Sequence, residues 1–108
     1  MLKLASGHVD LRTRVVVRNG HESRLSAIEA RLLRYLVEHI GRTVGREDLY
    51  VNVWKYRRGL RTRTLDLAVS RLRKKIETDP RDPKHLLTDY GSGYVFVPVG
   101  EKPEAAPV

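Results

Sequence analysis

Between Ser26 and Gly41 the apolar side chains Ile28, Leu32, Leu33, Leu36 and Ile40 return every three or four residues, the period of a helix that buries one face. Ser26 followed by Glu29 adds a capping box, in which each side chain satisfies the other's backbone N–H, and Gly41 stops the run. A first helix is therefore predicted over 27–39. The preceding stretch has the other period. Leu2 and Leu4, Val9 and Leu11, then residues 15–17 and 22–25, alternate between breaks at Ser6-Gly7, Arg12-Thr13 and Asn19-Gly20. Alternation marks strands, and Asn-Gly tolerates the positive φ of a tight hairpin. Three or four short antiparallel strands are predicted there.

After Gly41, residues 46–54 open with Glu47 and Asp48 in a first turn and present Leu49, Val53 and Trp54 to the interior, a short second helix. The longest pattern lies over 61–77. On a helix, Leu65, Ala68, Val69, Leu72 and Ile76 form one stripe, and Arg63, Leu67, Ser70, Arg71 and Lys74 form the opposite one. Thr62 or Arg63 can open this third helix, Asp66 suits the positive end of its dipole, and Lys74 and Lys75 suit the negative end. Pro80 and Pro83 end it. Strands over 86–88 and 94–97 then flank a glycine turn at 89–93, and the tail 99–108, rich in Pro, Ala and charge, reads as disordered or as a linker.

Charge gives the third helix its meaning. Residues 55–75 hold nine of the 21 Lys and Arg and one of the 13 acids, so this fifth of the chain carries the whole formal charge of +8. A positive field focused on one helix and the loop before it steers and holds a polyanion. At 108 residues the chain is long enough for one domain, and without cysteine it has neither disulfides nor thiolate metal sites. No run is long enough to span a membrane and the N-terminus lacks a signal-peptide core, so a cytoplasmic location is expected. His8, His21, His39 and His85 show neither metal-ligand spacing nor a partnered nucleophile, so no catalytic residue, metal or cofactor is expected.

The order of strands, three helices and hairpin, with Leu25-Ser26-Ala27-Ile28-Glu29, the stretch 41–54, RTLDLAVSRLRKKIE at 63–77, DPRDP at 79–83 and Gly91-Ser92-Gly93-Tyr94, resembles the winged-helix effector domain of OmpR/PhoB-type bacterial response regulators over residues 2–98. The resemblance implies an α+β fold: an N-terminal antiparallel sheet, a three-helix helix-turn-helix core and a C-terminal β-hairpin wing. It also implies that the third helix enters the major groove of double-stranded DNA. Carried over by position, Arg63, Thr64 and Arg73 match residues that hold phosphates, while Asp66, Leu67, Ser70 and Arg71 match residues that face base edges. Arginine reaches guanine bidentately, a carboxylate accepts from cytosine N4, and leucine meets a thymine methyl. Trp54 matches a tryptophan whose indole N–H reaches a phosphate, and it reads equally as a core aromatic closing the second helix. With Arg57, Arg58, Arg61, Lys74, Thr88, Tyr90, Gly91 and Ser92, these residues make up the expected DNA-binding set.

Three departures from the family pattern stand out. Relatives carry an arginine before the wing's glycine turn, and here Tyr90 takes that place without a charge. The loop at 55–60, which relatives use to contact RNA polymerase, is unusually basic here and is expected to touch either DNA or an acidic protein surface. Relatives follow a phosphorylatable receiver domain, so this chain is expected to be an excised effector domain or one regulated in another way. The sequence thus points to a sequence-specific DNA-binding domain, binding as a tandem dimer if it follows its relatives. The other reading that stays open is an interaction module docking an acidic partner such as RNA polymerase.

Overall fold

The computed structural model describes residues 1–59 and 62–99; the expected contact Arg61, and the expected disordered tail apart from Val99, lie outside the described residues. Four strands come first: β1 (Leu2–Leu4), β2 (Gly7–Asp10), β3 (Val15–Arg18) and β4 (His21–Arg24), an antiparallel sheet in the order β1-β2-β3-β4. Its register pairs Leu2 with Val9 and Val9 with Val16, and the alternation buries Leu4, Val9 and Val16 on one face. Arg18 pairs with His21, leaving Asn19 and Gly20 as a two-residue turn with φ of +50° and +78°, a geometry that favours these residue types.

Helix α1 (Ala27–Glu38) begins with the expected capping box: Glu29 N–H donates to Ser26 Oγ at 3.2 Å and Ser26 N–H to Glu29 Oε1 at 2.8 Å. Helix α2 (Arg46–Asn52) is shorter than the pattern suggested, and Val53 follows as its cap. Helix α3 (Thr64–Ile76) buries Leu65, Ala68, Val69, Leu72 and Ile76, the whole predicted stripe. The chain closes with β6 (Leu86–Asp89) and β7 (Gly93–Phe96). A two-residue strand, β5 (Val44–Gly45), has no counterpart in the sequence reading; it pairs with β7, making a second sheet in the order β5-β7-β6. Gly93 permits this pairing. Its φ is +155°, and a Cβ there would run into the Val44 carbonyl.

One core joins these parts: Leu25 just after β4, Leu32, Leu33 and Leu36 of α1, Leu49 of α2, Leu65, Leu72 and Ile76 of α3, and Leu86 and Phe96 of the hairpin. Two buried polar residues pin the first sheet to the end of α3. Glu77 accepts from the backbone N–H groups of His85 and Leu86 at 3.0 and 2.7 Å, and its own carbonyl accepts from Arg18 of β3. His85 lies stacked on Phe96; its Nε2 accepts from Ala5 N–H at 2.9 Å, so the ring proton sits on Nδ1 and is donated to the Val97 carbonyl at 3.0 Å. No buried side-chain polar atom among the described residues lacks a partner, as a well-packed interior requires. Among the described residues no helix is long and apolar enough to cross a membrane. Sheet, three helices and hairpin make the winged helix-turn-helix architecture that the sequence implied.

Candidate nucleic-acid interface

Helix α3 starts without a capping side chain on Arg63, and two of its first N–H groups find partners elsewhere. Thr62 Oγ1 accepts from Thr64 N–H at 3.2 Å. The Tyr50 hydroxyl of α2 accepts from Leu65 N–H at 3.1 Å and donates to the Thr62 carbonyl at 2.6 Å. Tyr50 therefore fixes where the helix begins. Tyr50 is not among the inward residues predicted for this helix, although its place next to Leu49 and three before Val53, all three buried, allowed it.

The outward face is as expected: Arg63, Leu67, Ser70, Arg71 and Lys74 are all exposed, and Leu67 keeps 54% of its surface in solvent. A leucine that exposed, on a helix lined with cations, offers an apolar contact between positive charges. Lys75, by contrast, turns inward to the Glu29 carboxylate at 2.6 Å and to the Arg24 carbonyl at 2.9 Å. That ammonium and the Ser26 bonds hold the Glu29 carboxyl below its usual range against the opposing effect of burial, which is the largest single influence on it.

Several of the expected contacts have partners inside the fold, Asp66, Arg73 and Thr88 among them. Asp66, expected to face a base, accepts from Arg46 Nη1 at 2.6 Å, Arg46 Nη2 at 2.9 Å and the Tyr94 hydroxyl at 2.6 Å. The bonds from Arg46 lower its pKa to about 2, burial opposes them, and Tyr94 adds to the lowering. Burial and the same carboxylate push Tyr94 up to about 12, and the bonds to Asp66 raise Arg46 above its ordinary value. Arg73, expected on a phosphate, points back to the hairpin: Nε donates to the Leu86 carbonyl at 2.9 Å and Nη2 to Thr88 Oγ1 at 2.8 Å, with the guanidinium 5.8 Å from the Tyr94 ring centre. Thr88, also expected on DNA, is thereby Arg73's partner. Arg46 and Tyr94 had no local signal, because they reach Asp66 across 20 and 28 residues of chain.

The loop after α2 is held down at both ends. Lys55 takes φ of +61°, Tyr56 stacks on Tyr50 with ring centres 5.8 Å apart, and half-buried Trp54 packs against the core beside Tyr50. Glu47 Oε1 accepts from Gly59 N–H at 3.0 Å, and its other oxygen lies 3.5 Å from Arg58 Nη1. Arg57 and Arg58 remain exposed, so that ion pair contributes little to stability. At the wing, Ser92 N–H donates to the Asp89 carbonyl at 2.9 Å, closing a turn around Tyr90 and Gly91, the latter at φ +82°. Tyr90 stands at the tip with 90% of its surface exposed, and Ser92 is exposed beside it. Thr43 Oγ1 donates to Asp89 Oδ2 at 2.7 Å and steadies the base of that turn.

Residues 20–96 match the sequence model of the family described as "Transcriptional regulatory protein, C terminal". The transcriptional regulatory protein KdpE of Mycobacterium tuberculosis (strain ATCC 25618 / H37Rv) is 40% identical over 88 residues, which cover 82% of this chain and 39% of that protein. The probable transcriptional regulator ycf27 of Guillardia theta is 39% identical over 90 residues, covering 82% of this chain and 35% of that protein. This chain thus spans less than two fifths of either relative. Among solved structures, the Klebsiella pneumoniae RstA DNA-binding domain in complex with the RstA box superposes with a TM-score of 0.75 at 30% identity, covering 90% of this chain and 96% of that one. The Thermotoga maritima response regulator DrrB, an OmpR/PhoB homologue, gives a TM-score of 0.74 at 30% identity, covering 88% of this chain and 43% of that one. With the family's sequence model matched over most of the chain and the same fold in both solved relatives, the chain belongs to the OmpR/PhoB-type family of transcriptional regulatory protein C-terminal domains.

Proposed function

We propose that this domain binds double-stranded DNA sequence-specifically on behalf of a transcriptional regulator, with α3 in the major groove and the wing at the adjacent backbone or minor groove. The observation that carries this reading is the outward face of α3, where Leu67 is exposed among Arg63, Ser70, Arg71 and Lys74. A helix of that shape fits the major groove, arginine and leucine there distinguish guanine and thymine, and the flanking cations hold phosphates. RstA's solved complex with the RstA box supports it by likeness. The role is binding without catalysis, in the cytoplasm where the DNA is.

Two finer proposals accompany it. The exposed Arg57 and Arg58 at the tied loop add phosphate contacts or meet an acidic surface of RNA polymerase, and two copies occupy a direct repeat head to tail. A salt titration of duplex binding tests the main reading. Neutralising several phosphates makes log affinity fall steeply and linearly with log salt concentration, by about 0.9 per phosphate contact. A flat salt response would favour a protein ligand instead.

A further inference from the structure

We propose that Asp66 is a positioning residue of the DNA interface and reads no base: through Arg46 and Tyr94 it fixes α3 relative to α2 and the wing, and so sets the spacing between the two parts of the interface. This rests on the DNA-binding reading above. A carboxylate offers about four lone-pair sites, and three on Asp66 are filled: Oδ1 by Arg46 Nη1 and the Tyr94 hydroxyl, Oδ2 by Arg46 Nη2. A cytosine amino group would have to share what remains of Oδ2. Leu67, Ser70 and Arg71 on the same helix meet no such competition for their exposed surface.

The linkage continues past Asp66. The Tyr94 ring that serves it also lies against the Arg73 guanidinium, and Arg73 donates to Leu86 and Thr88 of β6. One connected series therefore joins the start of α2, the first turn of α3, the centre of β7, the last turn of α3 and β6. Both the first and the last turn of α3 are fastened to the strands that carry Tyr90 at the wing tip. Electrostatics supports the same assignment. A free carboxylate in the first turn of a helix that meets phosphates repels them, whereas one that holds an arginine by both nitrogens presents a neutral pair. Groups that must meet a partner within fractions of an ångström need this kind of supporting shell.

The test uses the full chain and a duplex selected by it from a random pool. Arg46→Ala, Asp66→Ala and the double variant are titrated against that duplex and its single-base variants. Each single change is expected to lower affinity roughly tenfold, as groups within one network do. The double variant should lose no more than the worse single one, and the base-preference profile should stay the parent's at every position. Tyr94→Phe removes one oxygen and keeps the ring, so it guards against unfolding. It should weaken protection of the wing-side backbone in hydroxyl-radical footprinting while the major-groove protection persists. Loss of preference at one C·G pair in Asp66→Ala, with the profile of Arg46→Ala unchanged, would make Asp66 a base reader and overturn the proposal. Variants that melt earlier yet bind and protect DNA as the parent does would reduce the network to fold maintenance and overturn it too. A parent that enriches no sequence would instead remove the DNA-binding reading, and this proposal with it.

Discussion

Arg73 donates two hydrogen bonds out of α3, to the Leu86 carbonyl and Thr88 Oγ1, and lies against the Tyr94 ring. Truncating it leaves a half-buried carbonyl and a hydroxyl without their charged donor, so Arg73→Ala should cost about 2 to 3 kcal/mol in urea denaturation. Arg71 sits two residues away and exposed. Arg71→Ala should leave stability within about 0.5 kcal/mol and relax preference at one base pair by about 1 to 3 kcal/mol, read in competition with single-base variants. The helical period puts Arg71 on the outward face and Arg73 at its flank, where the hairpin supplies Arg73's partners. Asp66 gives a pH signature. Its carboxyl, held by Arg46, titrates near 2 in the fold against an ordinary value of 3.8. A lowered folded pKa means the contribution is complete above the unfolded value and is lost as pH falls toward the folded one. Between about pH 4 and about pH 2 the parent's urea midpoint should therefore fall more steeply than that of Asp66→Asn. Parallel curves for the two proteins would show that the carboxylate is not held this way.

At the scale of elements, local pattern carried most of the fold and little of the supporting site. The capping box located α1, the alternation and Asn19-Gly20 located the first sheet, and the apolar stripe of α3 matched its buried residues throughout. Helix α2 ended early because its last expected turn becomes the Val53 cap and the Tyr56-Tyr50 stack. Strand β5 escaped notice because two residues carry no period, and it exists only where β7 comes close enough to pair. Gly93 makes that approach possible, so Gly93→Ala should cost on the order of 2 kcal/mol or more, with a lower thermal midpoint, through left-handed strain and the Val44 clash. An unchanged midpoint would mean that β5 and β7 part without penalty. The wing carries a second prediction. Tyr90 brings a ring and a hydroxyl to an exposed tip, with no charge to answer the deepened negative potential of a narrow A·T-rich minor groove. Tyr90→Arg should raise affinity, steepen the salt dependence and add a preference for A·T-rich flanks. A strong flank preference already present in the parent, and unmoved by the change, would contradict this account of the wing.

For the whole molecule, the formal charge of +8 is concentrated where the fold presents α3 and the loop before it. The first sheet is fastened to the far end of that helix by Arg18, Glu77 and the His85 bond to Ala5, so the helix is held at both ends of its length. That arrangement fits a scaffold whose purpose is to present one helical face at a fixed angle. Selection of bound duplexes from a random pool, carried out in parallel with the parent and with Arg71→Ala, tests this most directly. The parent should enrich a defined motif containing a G·C pair at a fixed place, and Arg71→Ala should enrich the same motif with that one position relaxed. No enrichment by the parent, or an identical motif from both proteins, would contradict the claim that the outward face of α3 reads DNA sequence.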